Sequence, residues 1–456
     1  MTDKLKFLLG STNLNRLSRR DVLRAGAAIG AGLATPALMT RSAFGQDAKK
    51  LTFLSEESSP KAQAVYDKIN ADFQKETGIA VTMEYPGFAN ISQRVATLIA
   101  SGTPAELIWY GAGTAMEVAL QGQLADVDDL VTELKIPDNL RLVVDGHDRS
   151  VATSQQFVYG WYRSDLYEKA GLSPYTDWEG YLSVVKGLNA APQSYGNIIP
   201  SAQTGASHLL METMMQKNGA HWFSFNDATG EYEVALDKGD NLQATVETLD
   251  FLNEAHQYSP EGSNYDWGDL MSQYFTGKVA NSYYVGARLL EQTLTNAPDL
   301  AELTKPIALP ARKTENYYLS VQGFHVGKGS NVDGAKQYIK FFLNHPEYIS
   351  WLHSVPLHII PAKQEVLRSE AYQNNEVIQK RTDVLEFIDA VWGKGRAPYY
   401  WDGDKLNRFV GIYQNDNIGG WMLAQRNIGG RDSESVIKEA AELIRTKQAD
   451  MIQKGG

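Results

Sequence analysis

Twelve side chains of this 456-residue chain invite a chemical reading, and they are of two kinds. Trp109, Tyr110, Tyr283, Tyr284 and Phe324 are aromatic residues at or near the ends of stretches that read as strands. Glu56, Asn90, Gln156, His208, Arg288, Gln322 and His358 are planar or charged hydrogen-bonding groups. Rings at strand ends offer flat apolar platforms, while carboxylates, amides, imidazoles and guanidinium groups offer donors and acceptors in fixed directions. Such a set suits a small molecule with C–H faces and many hydroxyls, a carbohydrate or polyol. Core packing or a solvated surface position is the competing explanation for each residue. Trp267 opens a helix, where its ring serves either packing or the same binding surface.

Other chemistries find less support. The chain lacks cysteine, which excludes disulfides, iron–sulfur clusters and thiolate zinc sites. His345, His353 and His358 are spaced by eight and five residues, which does not put two ligands on one helical face. Asp402-Gly403-Asp404 lacks the rest of a calcium loop. No Gly-x-Ser-x-Gly, phosphate-binding loop or His-Glu-x-x-His occurs, so neither a metal nor a cofactor is expected. Paired carboxylates brought from distant loops, the machinery of a glycoside hydrolase, remain compatible with the sequence.

The elements that must position these residues read as alternating strands and helices. Leu51–Leu54 is a strand, ending in a polar turn, Ser55 to Pro60, able to cap the next helix. Val65, Ile69 and Phe73 recur every four residues on that helix, over 61–77, and Gly78 ends it. A strand follows over 79–85, a helix over 91–100, a strand over 107–110 and a helix from about Thr114 to Leu120. This alternation predicts a mainly parallel sheet covered on both faces, with ligands beyond the carboxyl ends of its strands. Those ends are 55–58, 87–90 and 109–113. Phe157–Tyr162 reads as a strand feeding a short helix over 165–169, stopped by Gly171. Further on, helices are predicted over 178–188, 207–217, 242–256 and 331–344, with strands over 198–202 and 322–326. A hairpin turn is predicted at 225–232 and a largely helical region over 364–448.

The N-terminus reads as an export signal. Ser18-Arg19-Arg20-Asp21-Val22-Leu23 is a twin-arginine pattern, followed by an uncharged Ala- and Gly-rich run and then Ala43-Phe44-Gly45. Residues 1–45 hold seven Lys/Arg and two Asp/Glu, so their removal moves the net charge from −11 to −16. A chain this acidic is a poor partner for nucleic acid or anionic lipid.

The order of several motifs resembles the extracellular solute-binding proteins of ABC importers, the maltose-binding-like group. Tyr162-Arg163-Ser164-Asp165-Leu166 and Glu168-Lys169-Ala170-Gly171-Leu172 are similar to that family's first crossing between lobes, with Arg163-Ser164 in place of Asn-Lys. Thr103-Pro104 before Leu107-Ile108-Trp109, Gly122-Gln123-Leu124, Asp177-Trp178-Glu179 and Phe275-Thr276-Gly277-Lys278-Val279-Ala280 are similar as well, the last run leading to a strand that ends at Gly286. Ala112-Gly113 stand where maltose-binding relatives carry an acid–base pair, and Ala287-Arg288 where a tryptophan often follows the glycine.

The resemblance implies an α/β, two-lobed periplasmic-binding-protein fold with three interlobe crossings, near 156–162, 311–318 and 352–358. It implies an N-terminal lobe of 46–158 with 315–352 and a C-terminal lobe of 159–314 with 353–456. It places Trp109 at a strand tip, stacked on a sugar, and Gln156 where a sugar-binding glutamate stands. The implied protein is a periplasmic, monomeric binding component that hands a carbohydrate or polyol to a membrane permease without making or breaking a bond. An exported carbohydrate-active enzyme, or a binder of a glycerol phosphodiester or acidic sugar that uses Arg288, is the alternative.

Overall fold

A computed structural model describes residues 50–453 apart from 89, 262 and 263, so the expected export signal, residues 1–45, lies outside the described residues. In β1 (Lys50–Ser55), Leu51, Phe53 and Leu54 are buried. Helix α1 (Pro60–Thr77) starts where Ser59 accepts the Ala62 N–H and ends at Gly78, whose φ of 75° favours glycine. β2 (Ala80–Glu84), α2 (Ile91–Ala100), β3 (Leu107–Gly111) and α3 (Ala112–Leu120) follow. β1 lies between β2 and β3 and is parallel to both, with Leu54 opposite Glu84 and Ile108.

Four longer or later strands extend this sheet: β4 (Val151–Arg163), β5 (Asn281–Val285), β6 (Thr304–Ile307) and β7 (Tyr317–Val326). With Ile360–Pro361 and Gly395–Arg396 they make a nine-stranded sheet among the described residues. The expectation of a mainly parallel sheet is corrected here. β7 is antiparallel to both β3 and β4, and β4 is antiparallel to β5 and β6. Strand–helix–strand alternation constrains only the first three strands; a strand that enters by a long connection is free to run either way.

β4 belongs to two halves of the sheet. Val151–Phe157 pairs with β7, beside β3, whereas Val158–Arg163 lies between β5 and β6. The second half is covered by helices. They are α4 (Ser164–Ala170), α5 (Trp178–Gly187), α6 (Gly205–Lys217), α7 (Gly239–His256), α8 (Trp267–Phe275) and α9 (Arg288–Asn296). α10 (Val332–Asn344) and α11 (Glu347–Leu352) return to pack with α1. α12 (Val410–Gln414), α13 (Ile418–Leu423) and α14 (Ser433–Gln453) complete the C-terminal region. The expected strand at 198–202 is absent, because side chains satisfy its backbone: the Ile199 N–H donates to Ser259 Oγ at 2.9 Å. The hairpin forms, with strands Phe223–Asn226 and Glu231–Val234.

Each half has an aromatic core. Phe53 sits 5.3 Å from Tyr66 and 5.6 Å from Phe324, and Phe324 lies 5.0 Å from Phe342. In the second half, Trp178 stacks on Phe251 at 4.3 Å and Trp222 on Tyr413 at 4.5 Å. Such pairs add about 0.5–1.5 kcal/mol each beyond their burial.

The register of β7 against β4 shifts between Gln322 and Gly323, a bulge in the middle of the shared strands. A Cβ on Gly323 would come 2.6 Å from the Val151 carbonyl oxygen and 2.8 Å from Ser150 Oγ. Gly323→Val should therefore lower stability by about 1–3 kcal/mol, read as a lower urea midpoint; an unchanged midpoint would show that the bulge yields without cost.

Candidate functional site

Five pieces of chain converge where the two halves of the sheet meet. The loop after β1 brings Glu56 and Glu57, and the Glu56 N–H donates to the Trp109 carbonyl at 3.0 Å, which holds that loop against the end of β3. The end of β5 brings Tyr284, Gly286 and Arg288, with the Gly286 N–H donating to the Phe157 carbonyl at 2.9 Å. β4 and β7 contribute Gln156, Ser320 and Gln322 from their middles, and the segment before Ile360 contributes His358. The meeting point lies beyond the carboxyl ends of β1 and β3, where open α/β sheets hold ligands.

The polar groups are joined in one network. Gln322 Nε2 donates to Gln156 Oε1 at 3.0 Å and to Ser320 Oγ at 2.8 Å, and Gln156 Nε2 lies 3.1 Å from His358 Nε2. Gly286 has φ of 61°, and a Cβ there would come 2.7 Å from His358 Nδ1, so glycine permits the imidazole to lie against the end of β5. Gln322 Oε1 is buried without a hydrogen-bond partner, while the His358 imidazole is held by Gln156 and by the backbone of Val285; a buried polar atom such as Gln322 Oε1 is what a bound hydroxylated molecule would satisfy.

Electrostatics single out the carboxylates. Arg288 Nη2 donates to Glu57 Oε2 at 2.8 Å, joining the loop after β1 to the start of α9. Glu57 Oε1 accepts the Ser59 N–H at 2.9 Å. Glu56 keeps part of its surface free yet lies deep among protein atoms. That burial, helped by the charge of Glu57 and opposed by the Gly111 N–H, pushes its carboxyl up to about 8. Burial holds the His358 imidazole well below its ordinary range, and the nearby Arg288 charge adds to the effect.

Of the residues singled out by sequence, Glu56, Gln156, Tyr284, Gly286, Arg288, Gln322 and His358 come together here. Trp267 lies 5.1 Å from Tyr284 and extends this group, half-buried at the start of α8. Tyr110 is fully buried at 5.0 Å from His325, with Glu56 and Glu117 as charged neighbours. The others are placed elsewhere. Trp109 is not an open platform: it is 3 % exposed, its ring lies 5.1 Å from Trp351, and its Nε1 donates to Thr153 at 2.8 Å. Phe324 shares that core. Tyr283 points into the second half, its hydroxyl donating to the Ala206 carbonyl at 2.7 Å. His208 is buried within α6, accepts the Gly419 N–H at 2.9 Å and stacks at 5.8 Å on Trp222. Asn90 is exposed and bonds the Pro86 carbonyl of its own loop at 3.3 Å.

Glu57 and Ser320 were missed. Glu57 adjoins Glu56 in a loop, where no periodicity tells which of two neighbouring acids turns inward. A wide surface hollow lined by Asp72, Lys75, Lys336 and Lys340 shares no residue with the network. Asp126, Asp128 and His147 bring three possible ligand atoms within 4.8 Å of one another, but their charges are met internally, His147 Nδ1 lying 2.7 Å from Asp128 and Arg149 Nη1 3.4 Å from Asp126.

Residues 56–348 match the model of the family described as bacterial extracellular solute-binding protein. The chain is 23 % identical over 348 residues to the putative ABC transporter periplasmic-binding protein YcjN of Escherichia coli strain K12, covering 72 % of this chain and 76 % of that protein. It has the fold of a sugar transporter from Arthrobacter chlorophenolicus A6 with bound laminaribiose (TM-score 0.71, 17 % identity, 88 % of this chain and 99 % of that one). It also has the fold of an ABC transporter solute-binding protein from Agrobacterium vitis S4 with bound D-mannitol (TM-score 0.65, 19 % identity, 88 % and 99 %). The architecture is thus the two-lobed periplasmic-binding-protein fold.

The raised carboxyl of Glu56 makes stability depend on pH with a definite sign. Between its unfolded value of 4.5 and its folded value of about 8 the folded state holds the extra proton, so stability falls as pH rises through that window. Glu56→Gln removes this contribution. Urea titrations of both proteins from pH 4 to 9 should give a difference favouring the variant increasingly towards high pH; a pH-independent difference would mean that Glu56 ionises normally.

Proposed function

The chain belongs to the bacterial extracellular solute-binding proteins, and we propose that it captures a sugar or polyol between its lobes and delivers it to the membrane subunits of an ABC importer. The observation that carries the solute class is the network of Gln156, Gln322, His358 and Ser320 with the unpartnered buried Oε1 of Gln322, beside the rings of Tyr284 and Trp267. Amide and imidazole groups match hydroxyls, and rings match C–H faces. The laminaribiose and mannitol bound by proteins of the same fold support this class.

On this reading the N-terminal lobe is 46–158 with 315–352, and the C-terminal lobe is 159–314 with 353–456. The lobes rotate about the crossings as rigid bodies, and the solute favours the closed state by its differential affinity. The protein works as a periplasmic monomer exported through the twin-arginine signal at Arg19-Arg20. Glu57 is committed to Arg288, which supports binding over a two-carboxylate hydrolysis at Glu56.

A thermal-melt screen over hexoses, disaccharides and polyols tests the reading, because a ligand that binds only the folded state raises stability by RT ln(1 + [L]/Kd). At a concentration about 100 times Kd, that is about 2.7 kcal/mol, which moves the melting temperature by several degrees. The expected result is a saturable rise with at least one neutral sugar or polyol and no chemical change in it. Release of a hydrolysed product, or no rise with any member of these classes, would contradict it.

A further inference from the structure

We propose that Glu57 sets the charge selectivity of the cleft: by holding Arg288 across it, Glu57 fits the closed site to an uncharged sugar or polyol and excludes the carboxylate or phosphate counterpart. This rests on the solute-binding reading above and narrows it. Arg288 taken alone is a receptor for anions, with a planar fork suited to carboxylate or phosphate. In the structure that fork is already met. Glu57 Oε2 lies 2.8 Å from Nη2, and the Glu57 side chain is 7 % exposed against 23 % for Arg288. Glu57 is itself held in place by the Ser59 N–H on its other oxygen.

Four groups seen to face the pair bring no second positive charge. Tyr284 and His358 face Arg288, and Glu56 and Tyr66 face Glu57. Burial keeps the His358 imidazole neutral and the two phenols un-ionised, and it moves the Glu56 carboxyl towards its neutral form at physiological pH. Glu57 and Arg288 then cancel. An incoming anion would have to displace Glu57, leaving a buried carboxylate with the Ser59 N–H but without its counter-charge, or share the site with it. A hydroxyl faces neither cost, since it accepts from the remaining guanidinium N–H groups and donates to an amide or carboxylate oxygen. The partners also come from the loop after β1 and the start of α9, on opposite halves of the sheet, so the pair forms as the cleft closes.

Two matched pairs of probes test the proposal by titration calorimetry: D-glucose with D-glucuronate, and D-sorbitol with D-gluconate. The proteins are the full exported chain, Glu57→Gln, and the double variant Glu57→Gln/Arg288→Gln. Glutamine keeps an acceptor for the Ser59 N–H, so the loop after β1 retains its anchor. The unaltered protein should bind a neutral probe and bind its acid at least about tenfold more weakly, and Glu57→Gln should strengthen the acid by about tenfold or more, the worth of one charge-assisted hydrogen bond. The double variant should lose that gain. An acid bound by the unaltered protein as tightly as its neutral partner overturns the proposal and leaves the solute-binding reading standing. So does a Glu57→Gln protein, folded by its melt, that binds acids no better. If none of a full set of neutral sugars and polyols binds the unaltered protein, the solute-binding reading fails, and this proposal with it.

Discussion

The hydrogen-bonding demand of one long strand organises this molecule. β4 runs thirteen residues, almost all buried, and every buried N–H and C=O along it needs a partner. No single neighbour spans its length. β7 serves its first part and β5 with β6 its second, so the strand passes from one half of the sheet to the other without an unpaired gap. The crevice lies where the partners change. Neighbouring strands there end or bulge, and side chains such as Gln156, Gln322 and His358 fill the interior in their place. A polar interior at that point follows from the topology, because strand ends carry free backbone groups and loops with carboxylates.

Energy in the crevice is balanced locally. The Glu57–Arg288 pair brings charge of both signs into a half-buried place, where each partner offsets the desolvation of the other. The Gln156–Gln322–His358 network is satisfied except at Gln322 Oε1, and the carboxyl of Glu56 avoids its charge by holding a proton more tightly than usual. These are the features of a site whose partners are incomplete until something enters it. The aromatic cores on either side are complete without it and give each half its rigidity.

Much of this was legible in sequence, and the failures share a cause. Helices were read well because a single stripe of apolar residues, as at Ile69 and Phe73, has one meaning. The ends of helices were legible at glycines such as Gly78 and Gly171, both at positive φ, but which of the loop residues turn inward was not. Trp109 and Phe324 misled because both faces of their strands are covered. In β3, Leu107 and Trp109 face the aromatic core around Phe53 while Ile108 and Tyr110 face the other way, and all four are buried. Alternation then gives no sign of which ring is open. His208 and Tyr283 belong to the same class of error, polar-tipped side chains whose buried tips found a backbone partner. The direction of β7 escaped prediction because it is set by a connection from the other half of the sheet.

On the proposed reading, the two halves are rigid bodies that close on a solute about β4 and β7. The chain has no cysteine, so two introduced cysteines can be spin-labelled without interference. Gln74 on α1 and Glu254 on α7 are exposed and lie on different halves. Distances between labels at these positions, measured by pulsed electron resonance with and without a bound sugar or polyol, report closure directly. A shorter and narrower distribution is expected with solute, while a pair of labels within one half stays unchanged. An inter-half distribution that does not move at saturating solute would contradict it.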